Sequence, residues 1–217
     1  MEEYVKCYME NKMLKPHMRE TVCEEICHGV EVSNLAVLIA REMELGESFC
    51  EDIAIAGVLH DLGKMRLAKY LFSDSDTLMV EQLKYVRLHS TYSYNILKDA
   101  GYSDRIAQAV YHHHENYDGS GYPDNLIGDE IPLMARILRT CDVFAALTSE
   151  RTYRGAFEPS TAMEIMIDEV GDYDMQVFLA FQRLFHSERW QGIESFRQTV
   201  SPIQKEQFYL FEKETMD

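Results

Sequence analysis

Eight histidines are spread over the 217 residues, and most of them fall where a helical pattern faces inward. Glu24 and His28 stand four apart, and the same spacing continues to Val32 and Ala36, so both polar residues extend an apolar stripe. Ile53, Gly57, His60 and Lys64 share a second face, with Asp61 beside His60, and Val86, His89, Ser93 and Ile96 share a third. Ile106, Val110, His113 and His114 form a fourth set, and Leu138, Asp142 and Ala145 a fifth. A single histidine on an apolar face is ordinarily a hydrogen-bonded core residue. Five helices that each end a buried stripe in His, Asp or Glu are a different case, because burying so many ionisable groups without compensation costs several kcal/mol each. Divalent cations remove that cost. Imidazole and carboxylate without thiolate suit Fe, Mn or hydrolytic Zn and disfavour a structural zinc site. A helical bundle that projects Glu and His inward can hold two such metals.

The elements that must position these groups are helices. Val32, Leu35, Ala36, Ile39 and Met43 mark a first helix, with Gly46 at its end. Further helices are predicted over about Glu51 to Lys64, Thr77 to Asp99 (stopped by Gly101), and from an N-cap at Ser103 into the histidines. Tyr117 to Pro132 is rich in Gly, Asp and Pro and is read as a loop, with Pro132 in the first turn of a helix to about Ser149. Helices over about Ser160 to Glu169, Met175 to His186 and Ser201 to Glu214 follow. The chain is therefore expected to be all-α, with residues 1–20 as an arm or first helix and 21–217 as one helical domain that includes C-terminal packing helices.

Composition narrows the class. Net charge is −16, from 37 acidic against 21 basic residues, which excludes a polymeric nucleic acid as partner. A small anionic substrate remains open where cations invert the local potential. Five cysteines at scattered spacing suggest no disulfide framework, and Cys23 and Cys27, four apart, read as buried reduced thiols. No targeting signal is visible, and the most apolar run, Ile53 to Leu59, is too short to span a bilayer, so no membrane association and a cytoplasmic location are expected.

Two longer motifs carry a resemblance. Leu59-His60-Asp61-Leu62-Gly63-Lys64 matches the HD-x-GK motif of HD-domain phosphohydrolases, and the run from His113 to Pro123, HHENYDGSGYP, resembles the motif that names the HD-GYP subfamily. HD alone is a dipeptide and weak; the second motif is long and specific. Asp142 to Thr148 (DVFAALT) and Arg151 to Arg154 (RTYR) are similar to further stretches of that family, and the likeness covers roughly residues 20 to 170. It implies an HD-domain helical bundle that hydrolyses cyclic di-GMP to linear pGpG, with GMP as a further product, by means of a metal-bridging hydroxide. By the same resemblance His28, His60, Asp61, His89, His113, His114 and Asp142 are expected metal ligands, with Asp61 bridging. Glu24 is an expected ligand of a third metal, or else a partner of a ligand or a surface acid. The cofactor is thus two or three divalent ions, Fe or Mn. Lys64 is assigned to the scissile phosphate or the nucleophile, Arg151 and Arg154 to substrate phosphates (one of them alternatively to a structural ion pair), and Gly121, Tyr122 and Pro123 to a loop that shapes the site and could dock a signalling protein. The chain departs from the family after Lys64, where Met65-Arg66-Leu67-Ala68 replaces the usual turn, and at Ser90, which follows His89 in place of Pro. A phosphodiesterase for cyclic GMP-AMP, and a non-catalytic adaptor acting through the loop, are the alternatives; the complete ligand set favours an enzyme.

Overall fold

The computed structural model describes residues 16–71, 86–150 and 155–190, the side chains at 16–24 and 68–71 excepted. All regular structure among them is helical, as the periodicity implied: α1 (Pro16–Glu42), α2 (Glu47–Leu59), α3 (Leu62–Leu71), α4 (His89–Asp99), α5 (Asp104–Tyr111), α6 (Leu133–Thr148), α7 (Pro159–Asp168) and α8 (Met175–Phe185), with two single 3-10 turns at Gly128–Glu130 and Val170–Asp172. The expected helix over Ser201 to Glu214 lies outside the described residues.

The apolar stripe of α1 forms one side of the core. Val32, Leu35, Ala36 and Ile39 are buried, each of the larger three contributing roughly 1.5–3 kcal/mol by leaving water. α1 packs along α2, α6 and α8. Its approach to α2 depends on two missing side chains: a Cβ at Gly57 would stand 2.5 Å from the Ser33 Cα, and one at Gly29 would stand 2.6 Å from the Val58 carbonyl oxygen. On α6, Phe144 meets Phe181 and Trp190 edge-on, with ring centroids 4.9 and 5.5 Å away. These contacts clamp the helix that carries Asp142.

Three helix boundaries differ from expectation. α1 ends at Glu42 rather than at Gly46: Glu44 takes the left-handed conformation (φ 56°), the Leu45 amide donates to the Ala40 carbonyl, and Gly46 becomes the extended N-cap of α2. The helix expected over Glu51 to Lys64 is broken at His60 and Asp61. One hydroxyl makes that break possible, since Ser93 Oγ donates to the His60 carbonyl at 2.8 Å and accepts from the Gly63 amide at 2.8 Å. The start of the helix expected over Thr77 to Asp99 lies outside the described residues; Val86 is helical, a turn at 87–88 interrupts, and α4 runs from His89. Other signals hold: Ser103 caps α5 by accepting from the Ile106 amide, and Gly101 (φ 81°) follows α4; α7 starts at Pro159, one residue before the expected Ser160. Pro132 is the N-cap of α6, one residue outside the first turn expected for it. Among the described residues no helix is long and apolar enough to cross a membrane.

Candidate metal centre

The His60–Asp61 break sits at the middle of the bundle, and four other elements bring polar groups to it. α1 supplies His28, the start of α4 His89, the turn after α5 His113 and His114, and α6 Asp142. His60, His89 and His113 are fully buried, and His28, Asp61 and Asp142 nearly so. They form two adjoining sets: Asp61, His89, His113 and His114 in one, and His28, His60 and Asp142 in the other. Seven residues expected as ligands are therefore together. For Glu24 only the backbone is described, on α1 one turn before His28.

The imidazoles are held from behind. His60 Nδ1 lies 2.8 Å from the Gly57 carbonyl, His89 Nδ1 2.6 Å from that of Val86, and His113 Nδ1 2.6 Å from that of Val110. Each is the carbonyl three residues back. Nδ1 must donate in these bonds, which fixes the tautomer and leaves a bare lone pair on each Nε2 when the ring is neutral. Yet His89 Nε2 stands 3.3 Å from His113 Nε2 and 3.1 Å from His114 Nε2. In the neutral rings the bare Nε2 atoms of His89 and His113 cannot hydrogen-bond to each other, and a proton on His113 or His114 is disfavoured. Burial first, then the neighbouring His114, drives His113 well below its usual range. Burial likewise takes His114 to about 3 against the opposing pull of Asp142. A cation other than a proton suits this convergence.

Asp61 faces both sets. Its Oδ1 lies 3.1 Å from His89 Nε2 and 3.9 Å from His113 Nε2, while Oδ2 lies 3.1 Å from His60 Nε2 and 2.6 Å from Lys64 Nζ. Asp142 Oδ1 is 2.8 Å from His28 Nε2 and 3.7 Å from His60 Nε2, and its Oδ2 is 4.0 Å from His114 Nδ1. Burial opposes the charge on both carboxylates but is overcome, at Asp61 chiefly by His60 and Lys64 and at Asp142 by His28 and His60, so both stay ionised. His60 is the converse case: burial opposes its proton, Asp61 and Asp142 outweigh burial, and its pKa rises to about 10. His28 Nδ1, His60 Nε2 and Asp61 Oδ1 are buried and lack a hydrogen-bonding partner. Unmet groups of this kind cost about 1–3 kcal/mol each. The donor set fits two divalent ions, with Asp61 offering one oxygen to each side.

Lys64 reaches the centre as expected. Its ammonium also lies 3.1 Å from Glu25 Oε2, a contact the spacing did not single out although Glu25 stands three residues before His28. Burial opposes the charge on Lys64, but Asp61 and Glu25 raise its pKa far above the ordinary value. Tyr122 stacks on His114 with ring centroids 4.7 Å apart, and the Arg87 guanidinium lies 5.0 Å from the centre of its ring. Gly121 is buried because the loop folds back on the ligand turn: a Cβ there would stand 2.2 Å from the Asn116 amide nitrogen. The Tyr122 amide donates to the His114 carbonyl at 3.1 Å, and the Tyr122–Pro123 peptide is cis. Glu115, a motif residue with no expected role, is buried and accepts from the Asp124 amide at 2.7 Å, tying the loop end to the ligand turn. Arg151 and Arg154 lie outside the described residues.

The profile of the HD domain family matches residues 9–177. The chain is 35% identical over 155 residues to the cyclic di-GMP phosphodiesterase PA4108 of Pseudomonas aeruginosa, an alignment covering 71% of this chain and 37% of the relative. It is 35% identical to the cyclic di-GMP phosphodiesterase response regulator RpfG of Xanthomonas campestris pv. campestris, over 64% of this chain and 38% of the relative. Its identity to the 3'3'-cGAMP-specific phosphodiesterase 3 of Vibrio cholerae is 32%, over 72% and 34% respectively. The chain thus spans little more than a third of the length of these curated relatives. Among solved structures, an HDG"Y"P protein of Bdellovibrio bacteriovorus (Bd1817) superposes with a TM-score of 0.63 at 20% identity, covering 85% of this chain and 60% of the other. The HD domain of L. monocytogenes PgpH, in complex with cyclic-di-AMP, superposes with a TM-score of 0.52 at 15% identity, covering 76% of this chain and 92% of the other. These two likenesses are of fold. With His60 and Asp61 at the bundle centre and HHENYDGSGYP forming the ligand turn and the loop beside it, the chain belongs to the HD domain family and bears the signature of its HD-GYP branch.

Proposed function

We propose that this chain is a metal-dependent phosphodiesterase that opens cyclic di-GMP to linear pGpG, with GMP as the product of a second cleavage. The observation that carries the reading is the convergence of the Nε2 atoms of His89 and His113 on Asp61 Oδ1, beside the second set of His28, His60 and Asp142. His28, His60, Asp61, His89, His113, His114 and Asp142 are the ligands in this reading, and Fe or Mn is the metal. Bound divalent ions at such a site supply a water of lowered pKa and neutralise charge on the phosphoryl oxygens and leaving group.

The chain's own residues do the rest. The carbonyls of Gly57, Val86 and Val110 hold three imidazoles in the liganding tautomer. Lys64 is the cationic side chain beside Asp61, placed to meet a phosphate oxygen. Tyr122, stacked on His114, is the loop side chain placed to shape the site. Arg151 and Arg154 are assigned to substrate phosphates, and Gly121, Tyr122 and Pro123 to the shape of the entrance. A third metal at Glu24, a signalling protein docked on the loop over 118–123 and a cytoplasmic location belong to the same proposal.

The test is anaerobic purification with metal analysis, followed by incubation of the Fe- and Mn-loaded protein with cyclic di-GMP. Linear product that disappears in Asp61→Ala supports the reading. A metal-loaded protein that spares cyclic di-GMP but cleaves cyclic GMP-AMP replaces it with the second substrate, which the 32% identity to a 3'3'-cGAMP-specific phosphodiesterase keeps in view. Cleavage of neither leaves the adaptor.

A further inference from the structure

Arg139 stands three residues before Asp142 on α6 and therefore on the same face of that helix. The separation along the axis is about 4.5 Å, at roughly 1.5 Å per residue. The centre is closed where His60, His89 and His113 line it and opens where the side chains of His114, Asp142 and Lys64 keep some exposure. Arg139 retains a similar 19% side-chain exposure. It is tied to the same rim through Asn116, two residues beyond His114.

Its guanidinium is oriented but not consumed. Nε donates to Asn116 Oδ1 at 2.9 Å, while Nη2 lies 3.8 Å from Asp172 Oδ2, beyond hydrogen-bonding length. No described residue makes a hydrogen bond to either Nη group. By contrast the Lys64 ammonium is already held by Asp61 and Glu25. A guanidinium held at Nε, with Nη donors that no described residue hydrogen-bonds, matches the two oxygens of a phosphodiester. A cyclic dinucleotide carries two phosphodiesters in one closed ring, so fixing one at the metals places the other a short, set distance away.

We propose that Arg139 binds the second, non-scissile phosphate of the cyclic dinucleotide and so orients the ring over the centre. This rests on the phosphodiesterase reading above. The competing role is that of a strut joining Asn116 to the turn that carries Asp172.

The test compares the wild type, Arg139→Ala and Arg139→Lys as metal-loaded full chains. Substrates are cyclic di-GMP and bis(p-nitrophenyl) phosphate, which has a single phosphodiester. For Arg139→Ala, KM for cyclic di-GMP should rise about 10-fold or more, in keeping with loss of a hydrogen bond to a charged group. Its kcat/KM on bis(p-nitrophenyl) phosphate, its metal content and its melting temperature should be unchanged, and Arg139→Lys should recover part of the KM. Equal losses on both substrates, or a lowered melting temperature with KM for cyclic di-GMP retained, would assign Arg139 to the strut. Calorimetric titration of cyclic di-GMP into each metal-loaded protein decides the matter independently of turnover. Weaker binding by Arg139→Ala supports the proposal even where no substrate is cleaved, and equal binding overturns it. Failure of the wild type to cleave either substrate counts against the phosphodiesterase reading instead.

Discussion

At the scale of single residues, the centre is a set of imidazoles whose protonation is set by burial and by two carboxylates. The metal-free protein should show this in its pH dependence. Burial holds His114 at about 3 and His113 well below its usual range. The unfolded chain therefore binds more protons there as pH falls below about 6.5, and stability declines toward pH 3. His60 has the opposite sign. Asp61 and Asp142 overcome burial to raise it to about 10, so its contribution is complete below about 6.5 and is lost as pH rises through 10. Calorimetry of the metal-free protein at pH 5, 7 and 9.5 should find the highest melting temperature at pH 7. With Mn bound, the decline at pH 9.5 should vanish, because a liganding imidazole is already deprotonated. Persistence of that decline would remove His60 from the ligand set.

At the scale of elements, the break between α2 and α3 decides whether His60 and Asp61 can both face the centre. In one unbroken helix adjacent residues diverge by about 100°. The break is held by Ser93, which satisfies the free carbonyl of His60 and the free amide of Gly63. It is held also by Gly63, where a Cβ would stand 2.1 Å from the His89 carbonyl oxygen. Ser93→Ala should therefore cost about 2–4 kcal/mol, from two buried groups left unmet at about 1–3 kcal/mol each with partial relaxation. Metal affinity should fall about 10-fold or more, as for other residues that support a ligand. Denaturant unfolding and metal titration of the same sample measure both. A loss of stability with unchanged metal affinity would mean that α4 holds the fold but not the ligands. The break escaped the periodicity because the apolar stripe of α2 points through it: Ile53, Gly57, His60 and Lys64 fit one helix face, and only a hydroxyl from 30 residues further along accounts for the interruption.

At the scale of the whole molecule, five separate elements meet at the metal centre, so occupancy should tie the bundle together. A ligand that binds only the folded state at 100 times its Kd adds about 2.7 kcal/mol. For a chain of this size that corresponds to about 5–10 °C in melting temperature. Chelation followed by addition of Mn should move the midpoint down and back up by that amount, read by calorimetry or circular dichroism. An unchanged midpoint would mean that the two sets of ligands do not bind metal in the folded protein.

The all-α class, the Ser103 and Gly101 boundaries, the helix from about Ser160 and the seven clustered ligand candidates were legible in the order of residues. Each of these rests on a short-range rule: helical periodicity, a cap within three residues, a glycine with positive φ, or a contiguous motif. The early end of α1 at a left-handed Glu44, the break at His60 and the turn at 87–88 before α4 were not legible, because each is fixed by a neighbour remote in sequence or by a turn that residue types leave open. The division of the candidate ligands into two adjoining sets with Asp61 facing both, the pairing of Lys64 with Glu25, and the hydrogen bond of Arg139 to Asn116 are likewise products of packing. Motifs name which residues can bind a metal; only the crossing of α1, α4, α5 and α6 at the broken helix sets which nitrogen faces which oxygen, since a side chain's reach is a few ångströms and its direction is set by the backbone beneath it.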